Sequence, residues 1–528
     1  MVKKSLDKKP RTNRRPKDTE VIPNPELVFG IVGPIGVNVE AVMDALSEAL
    51  KDIQYRPVPI HLTDLIDDRR IKVKRDLSTY YARFQSLIAY ANAYRKLAKS
   101  SAALAGIAIL TIRRLRSQIT KDEKSPARGT AYIVRQFKRE EEIDLMRRVY
   151  GRKFVQVSVF GSAADRRRVM MEKIHRYEPS PKTDAECERQ AVELIETDYN
   201  QKDDVNGQRV SEVFHLGDVF VNGIDTVMAE RTIRRFIKAF FGDTKSSPTK
   251  DEYGLYIAGA AALRSADLSR QVGAAIFSKD GEIISLGCNE APRAGGGNYW
   301  TDDEGAIYRD VDIGFDPNQD RKSEIVHDLL TRMGKEKLLS SGLMKLKTAQ
   351  KQAKLFLASK VLGDSQLMDI LEFSRVIHAE MSAISDAARL GRMTKDATLF
   401  CTTFPCHICA KHIVAAGIDR VVFLEPYPKS LSQKLHSDSI TFETDIPEKV
   451  LFEPFIGISP RRYRDIFEKK ERKDETGKAK KWYEGSPAPL VEDRSPAYIA
   501  NEEPALYVSL KGLKKNPSKI NAAHSAAA

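Results

Sequence analysis

The chain has 528 residues, with 86 Lys and Arg against 73 Asp and Glu, a net charge of +13. That length exceeds one ordinary domain and leaves room for two cores. Five cysteines at irregular spacing exclude a disulfide framework, and no apolar run approaches the roughly 20 residues that cross a bilayer. With no apolar leader evident either, we expect a soluble cytoplasmic protein.

Residues 1–22 form a basic arm. Met1 to Asp18 hold eight Lys and Arg against Asp7 and Asp18 in a Pro-containing, weakly apolar context that predicts disorder. Such arms either bind nucleic acid or keep a chain dissolved, and charge alone does not choose between them. Glu26 to Val32 (ELVFGIV) reads as a strand running into Gly33-Pro34-Ile35-Gly36-Val37-Asn38, and a helix follows from Val39 to Leu50. Strand, glycine turn and helix are the setting of a phosphate-binding P-loop. Gly33, Gly36 and Asn38 are therefore candidate nucleotide contacts. Asn38 stands at the second glycine of that motif, Val39 at its phosphate-binding Lys and Glu40 at its magnesium-binding Ser or Thr. A carboxylate there repels phosphate, so ordinary phosphoryl transfer is not expected.

The α/β rhythm continues with helices Tyr80–Lys99 and Glu140–Tyr150 and strands Ala131–Phe137 and Phe154–Phe160, the last apolar enough for the centre of a parallel sheet. Arg166-Arg167-Arg168 can face phosphates or form a solvated helix face. A helix Val227–Phe241 leads to a polar linker, Gly242–Asp251, so we assign residues 23–245 to a first, parallel-sheet domain.

A second domain, residues 250–465, opens with a helix, a strand Val272–Phe277, a turn at Lys279-Asp280-Gly281 and a strand Glu282–Leu286. Residues 293–373 read as an insertion: a lid, a gating element or an oligomer contact. Then come a helix Ser374–Leu390 closed by Gly391, a strand Ala397–Thr403, a helix Cys406–Ala416 closed by Gly417 and a strand Arg420–Leu424. Residues 466–528, with a basic run at Lys469–Lys481, read as a polar tail.

His378-Ala379-Glu380 and Pro405-Cys406-His407-Ile408-Cys409 carry the chemistry. A catalytic zinc takes three protein ligands and keeps one position for water. His378, Cys406 and Cys409 supply one imidazole and two thiolates, and Glu380 is the proton carrier. Cys406 and Cys409 stand three apart at a helix start, which puts both sulfurs on one face and favours thiolates. Taken alone, the Cys pair also suits a redox motif, or half of a structural zinc site completed by His407 or His412. The joint pattern selects the catalytic reading and matches the H-x-E…P-C-x-x-C signature of zinc deaminases.

With its preceding hairpin, this region resembles the cytidine and deoxycytidylate deaminase superfamily. That resemblance implies that Asn289 contacts the sugar, although a plain turn role also suits it. Tyr427 can stack on a base or pack in the core, and Lys429 can meet a phosphate or stay solvated. The whole order resembles the bacterial anti-phage deoxycytidylate/dCTP deaminases over about residues 25–465. It implies an α/β protein: an N-terminal kinase-like P-loop domain of parallel sheet and a C-terminal α/β/α deaminase-like domain. It also implies Zn2+ as cofactor, conversion of dCTP and dCMP to dUTP and dUMP, and control by an inhibitory small RNA or by a regulatory nucleotide at the N-terminal domain. We further expect a homo-oligomer. Ser382 departs from the pattern, standing where many deoxycytidylate deaminases carry Asn. The rival reading is a deaminase of cytosine or adenine in RNA or DNA; no basic stripe interleaved with aromatics supports it.

Overall fold

The computed structural model describes residues 23–178, 180–201, 204–344, 348–358, 365–427, 430–444, 446–469, 471–483, 487–491 and 496–513. The chain divides into two units, Met1–Ser246 with Asp465–Ala528, and Ser247–Arg464. The basic arm lies outside the described residues. Among those described, no helix is long and apolar enough to cross a membrane.

In the first unit, β1 (Leu27–Val32), β2 (Arg56–His61), β3 (Thr130–Arg135), β4 (Phe154–Phe160) and β5 (Val219–Asn222) lie in the order β5-β4-β1-β3-β2. Every one of these pairings is parallel. LVFGIV of β1 is buried throughout, and FVQVSVF of β4 nearly so, because a parallel sheet is covered on both faces and its central strands must be continuously apolar. From β1 the chain runs outward to β2, returns to β3, then crosses to β4 on the other side of β1. That reversal leaves a crevice at the carboxyl ends of β1 and β3. Pro57 and Pro59 hid β2 from a sequence reading. Among the described residues the strand pairs only with β3, so the missing N–H groups fall on an edge.

The expected polar tail contains a helix, Ala497–Ser509, that lies against helix Ala103–Thr120 of the same unit. Tyr498, Glu502, Ala505 and Ser509 recur on one helical face and are buried. The contact is close: a Cβ on Gly106 would meet Ser509 Oγ at 2.4 Å. Glu502 and Arg116 are both fully buried, and charge explains how a carboxylate enters this core. Arg116 Nη1 and Nη2 donate to Glu502 at 2.8 and 2.6 Å, its Nε donates to Glu26 at 3.0 Å, and the Tyr150 hydroxyl donates to Glu502 at 2.9 Å. A buried charge is tolerated only when paired and hydrogen-bonded in this way.

In the second unit, β6 (Gly273–Phe277), β7 (Ile283–Cys288), β8 (Thr398–Thr403), β9 (Arg420–Glu425), β10 (Ile440–Thr441) and β11 (Val450–Pro454) lie in the order β10-β11-β9-β8-β6-β7. β6 pairs antiparallel with β7 and β8, and the pairings from β8 outward are parallel. Ala274 opposes Gly287 and Gly273 opposes Cys288, so the two glycines face opposite sides of the sheet. A Cβ on Gly273 would sit 2.0 Å from the Ala258 carbonyl, and one on Gly287 would sit 2.1 Å from that of Ala379. Helices Lys250–Ala262 and Ala379–Arg389 thus press on opposite faces, making three α/β/α layers.

Two boundaries move. The helix expected from Ser374 begins at Ala379, with His378 as extended N-cap residue, because Ile377 is held in a bridge with Glu290. The helix expected from Cys406 begins at His407, with Cys406 as cap. Both shifts place metal-ligand candidates where the backbone turns rather than within a helix.

Candidate active site

The two helix starts meet. His378 Nδ1 stands 3.3 Å from Cys409 Sγ and 3.4 Å from Cys406 Sγ, and the three donor atoms lie within 4.8 Å of one another. Zn–N and Zn–S bonds of about 2.0 and 2.3 Å in a tetrahedron separate neighbouring donors by roughly 3.6 Å, so this triangle fits a zinc ion. Among the described residues no fourth His, Cys, Asp or Glu joins the group. His407 and His412 are not part of it; His412 Nδ1 lies 2.8 Å from the Ile408 carbonyl along its own helix. Three ligands and a free position are the catalytic arrangement rather than the structural one.

Electrostatics support the same donor set. A hydrogen bond from Cys409, assisted by His378, lowers the Cys406 thiol to about 4. Cys409 is pushed up by its hydrogen bond to Cys406 and by burial, while the hydrogen bond with Cys406 raises His378. Metal ligands bind deprotonated, so a dication at this triangle would displace the thiol protons. Glu380 is 4% exposed, its Oε2 accepts from Cys409 Sγ at 3.5 Å, and burial pushes its carboxyl above the usual range. A carboxyl raised in this manner is suited to carry a proton in both directions.

His378, Glu380 and Cys406 open into a cavity of about 410 Å3, shared with Asn289 and Tyr427. Asn289 Oδ1 accepts from Val272 N at 2.7 Å and Nδ2 donates to the Arg270 carbonyl at 2.9 Å. The side chain thus clamps the segment entering β6, retaining one N–H and one lone pair for another partner. Tyr427 stands at the wall with the Arg270 guanidinium 5.6 Å from its ring centroid. Lys429 lies outside the described residues. Gly33, Gly36 and Asn38 belong to the first unit: Asn38 caps its helix by accepting from Ala41 N at 3.1 Å, and Gly33 and Gly36 line a separate cavity.

Sequence reading missed two sets of residues. Asn298, delivered by the Gly295-Gly296-Gly297 turn, is buried with its Nδ2 3.3 Å from Ser382 Oγ, so an amide stands beside that serine. From the insertion, Asn318, Met368 and Leu371 also line the cavity. Asn318 is buried, its Nδ2 donates to the Ile370 carbonyl at 3.0 Å, and its Oδ1 has no hydrogen-bond partner among the described residues. The only signal for them was an insertion longer than a small deaminase needs.

A His-Cys-Cys triangle, its cysteines buried and His378 half-buried, with a buried carboxylate beside it, has the donor set of a catalytic-type zinc centre on an α/β/α scaffold. Residues 248–425, which contain all four side chains, match the family model described as the cytidine and deoxycytidylate deaminase zinc-binding region. A deoxycytidylate deaminase of Enterobacteria phage T4 is 46% identical over 54 residues, 10% of this chain and 28% of that protein. A cytosine deaminase of Candida albicans is 41% identical over 66 residues, 12% of this chain and 44% of that protein. The chain spans less than half the length of these relatives. Among solved structures, the dCMP deaminase of cyanophage S-TIM5 in complex with dCMP and dUMP shows 17% identity and a TM-score of 0.23, over 40% of this chain and 100% of that one.

Proposed function

We propose that this chain is a zinc-dependent hydrolase that deaminates free deoxycytidine nucleotides, dCMP and dCTP, to the deoxyuridine forms. One observation carries the reading: Glu380 is buried beside the His378–Cys406–Cys409 triangle in the same cavity as Asn289 and Tyr427. His378, Cys406 and Cys409 would hold the zinc, which when bound polarises and acidifies a water molecule. Glu380 takes a proton from the attacking water and delivers it to the ring nitrogen. It then takes the second proton of that water, from the hydroxyl now on carbon 4, and passes it to the departing amino group, so that the C–N bond breaks, water oxygen stands at carbon 4 and ammonia leaves. Asn289 is the candidate sugar contact through its remaining N–H and lone pair. Asn318 offers an unused acceptor to the substrate.

A cavity of this size, walled partly by Asn318, Met368 and Leu371 of the insertion, suits one nucleotide better than a polynucleotide strand. The test is a panel of dCMP, dCTP and a cytosine-containing oligonucleotide. Turnover of either free nucleotide supports the reading, and turnover of the oligonucleotide alone replaces it with the polynucleotide one.

The wider role we propose, depletion of dCTP in phage defence with the first unit regulatory, is supported by the resemblance of the domain order alone. Phage plating on cells expressing wild type or Glu380→Ala tests it, and equal protection by both rejects it. Deleting residues 1–20 tests the small-RNA partner: unchanged co-purifying RNA and unchanged basal activity reduce the arm to a solubilising charge.

A further inference from the structure

The insertion contributes one wall of the zinc-centre cavity, and polar side chains of helix Pro317–Lys335 fix that wall. Asn318 Nδ2 donates to the Ile370 carbonyl at 3.0 Å, and Lys322 Nζ, one turn further on, donates to the Met368 carbonyl at 2.6 Å. Both side chains are buried. They pin the 3-10 turn Gln366–Asp369 and the residues after it, from which Met368 and Leu371 reach the cavity. The helix start is set by Asp316, whose Oδ1 accepts from Asn318 N at 2.8 Å. Asn318 is thus held at its backbone and at its amide nitrogen, and its amide oxygen is the free end.

Asn318 lines the cavity and is 6% exposed, yet its Oδ1 has no hydrogen-bond partner among the described residues. A buried acceptor left unpaired costs free energy unless a ligand supplies a donor. The neighbouring carboxylates of the cavity already hold donors. Asp310 accepts from Arg375 Nη1 at 3.2 Å, Asp267 accepts from Ser269 N at 2.8 Å, and Asp316 is engaged at the helix start.

The chemistry of a deoxycytidine nucleotide says which donor can meet this oxygen. With its phosphate ionised, such a molecule has two donor groups, the 4-amino group and the 3′-hydroxyl; its other polar atoms only accept. The amino group is the one that departs, so it belongs at the zinc centre beside Glu380. The 3′-hydroxyl remains. Asn289, in the same cavity, keeps one N–H, so a hydroxyl can accept from Asn289 and donate to Asn318 at once. We infer that Asn318 is a specificity-determining contact supplied by the insertion: it accepts a hydrogen bond from the substrate's 3′-hydroxyl, and so admits free nucleotides and rejects cytosines within a strand. A 3′-oxygen esterified in a polynucleotide has no proton to give and would leave Oδ1 buried and unpaired. This role rests on the deamination proposed above, and it adds the group by which a free nucleotide is told from a polymer.

The test compares dCMP with 2′,3′-dideoxy-CMP, which keeps base and phosphate and lacks the 3′-hydroxyl, on the full-length, zinc-loaded protein. Wild type should lose about tenfold or more in kcat/KM on the dideoxy substrate. Asn318→Leu should lower dCMP turnover and bring the two substrates within about a few-fold of each other, whereas Asn318→Asp, which keeps an acceptor, should preserve the preference. A substitution that only loosened the wall would slow both substrates alike; an unchanged ratio in Asn318→Leu therefore overturns the role, as does equal turnover of both by wild type. Where a variant fails to fold, the wild-type comparison decides. Calorimetric titration of zinc-loaded Glu380→Ala with the same two nucleotides separates this contact from the catalytic reading. A preference for dCMP in binding upholds the contact even if wild type deaminates neither nucleotide. Equal binding of both, or binding of neither, removes it.

Discussion

The glycine turn of the first unit and the cysteine turn of the second share one local grammar: a buried strand, a short turn and a helix start carrying a polar cap. Their fates differ. At the second, Cys406 caps its helix, and its sulfur lies 3.4 Å from a histidine brought in from another helix start. At the first, Asn38 caps its helix and Asp198 takes the backbone donor of Ile35. A helix N-terminus after a strand becomes a reactive site only where tertiary partners converge on a ligand instead of satisfying the turn themselves.

The largest expected effect breaks the reactive side. Glu380→Ala should reduce dCMP or dCTP deamination by about 10²–10⁴-fold, the usual contribution of a proton carrier, while the protein keeps its zinc; rate assays and metal analysis read the two quantities separately. Activity within a few-fold of wild type would remove Glu380 from the mechanism. Cys409→Ser should lose zinc as well as activity and lower the melting temperature of the second unit, because ligand loss couples to folding; full metal occupancy in that variant would contradict the ligand assignment.

The pH profile sharpens the same point. Glu380 must be ionised to accept a proton, and burial raises its carboxyl above the ordinary 4.5. As pH falls through that raised value, kcat/KM should drop, placing the acid limb above the ordinary carboxylate range. An acid limb at or below 4.5 would assign the proton carrier elsewhere.

In the first unit, Arg116→Met leaves Glu26 and Glu502 buried without the guanidinium they share, with Arg113 Nε 3.9 Å from Glu502, and should cost about 3–5 kcal/mol in denaturant unfolding. A loss under 1 kcal/mol would mean that helix Ala497–Ser509 is not held by this cluster. The smallest effect tests the quiet turn: Asn38→Ala should cost about 1 kcal/mol as a lost cap. Calorimetric titration with ATP should give the same result for wild type and variant, and a large fall in affinity in the variant would restore Asn38 as a ligand contact.

The zinc triangle and Glu380 were legible in the sequence because each half is a short-range pattern, three residues in one case and five in the other, tied to a helix start with its own turn signals. The central strands were legible for a similar reason, since continuous burial writes itself as a continuous apolar run. The insertion residues, Asn298 against Ser382, and the Arg116–Glu502 pair, 386 residues apart, were not. Polar partners distant in the chain leave no periodicity. A helix whose buried face includes a glutamate reads as polar until its arginine is seen.

By itself, then, the sequence determined the α/β class and named the candidate ligand set and the candidate proton carrier. Tertiary structure alone decided that His378 and Cys406 are caps rather than helical residues, that the insertion walls the cavity, and that Asp198 occupies the glycine turn. The physical reason is common to all three: local spacing sets which groups a segment offers, but whether a polar group meets a ligand, a metal or another side chain depends on what the fold brings within hydrogen-bond distance.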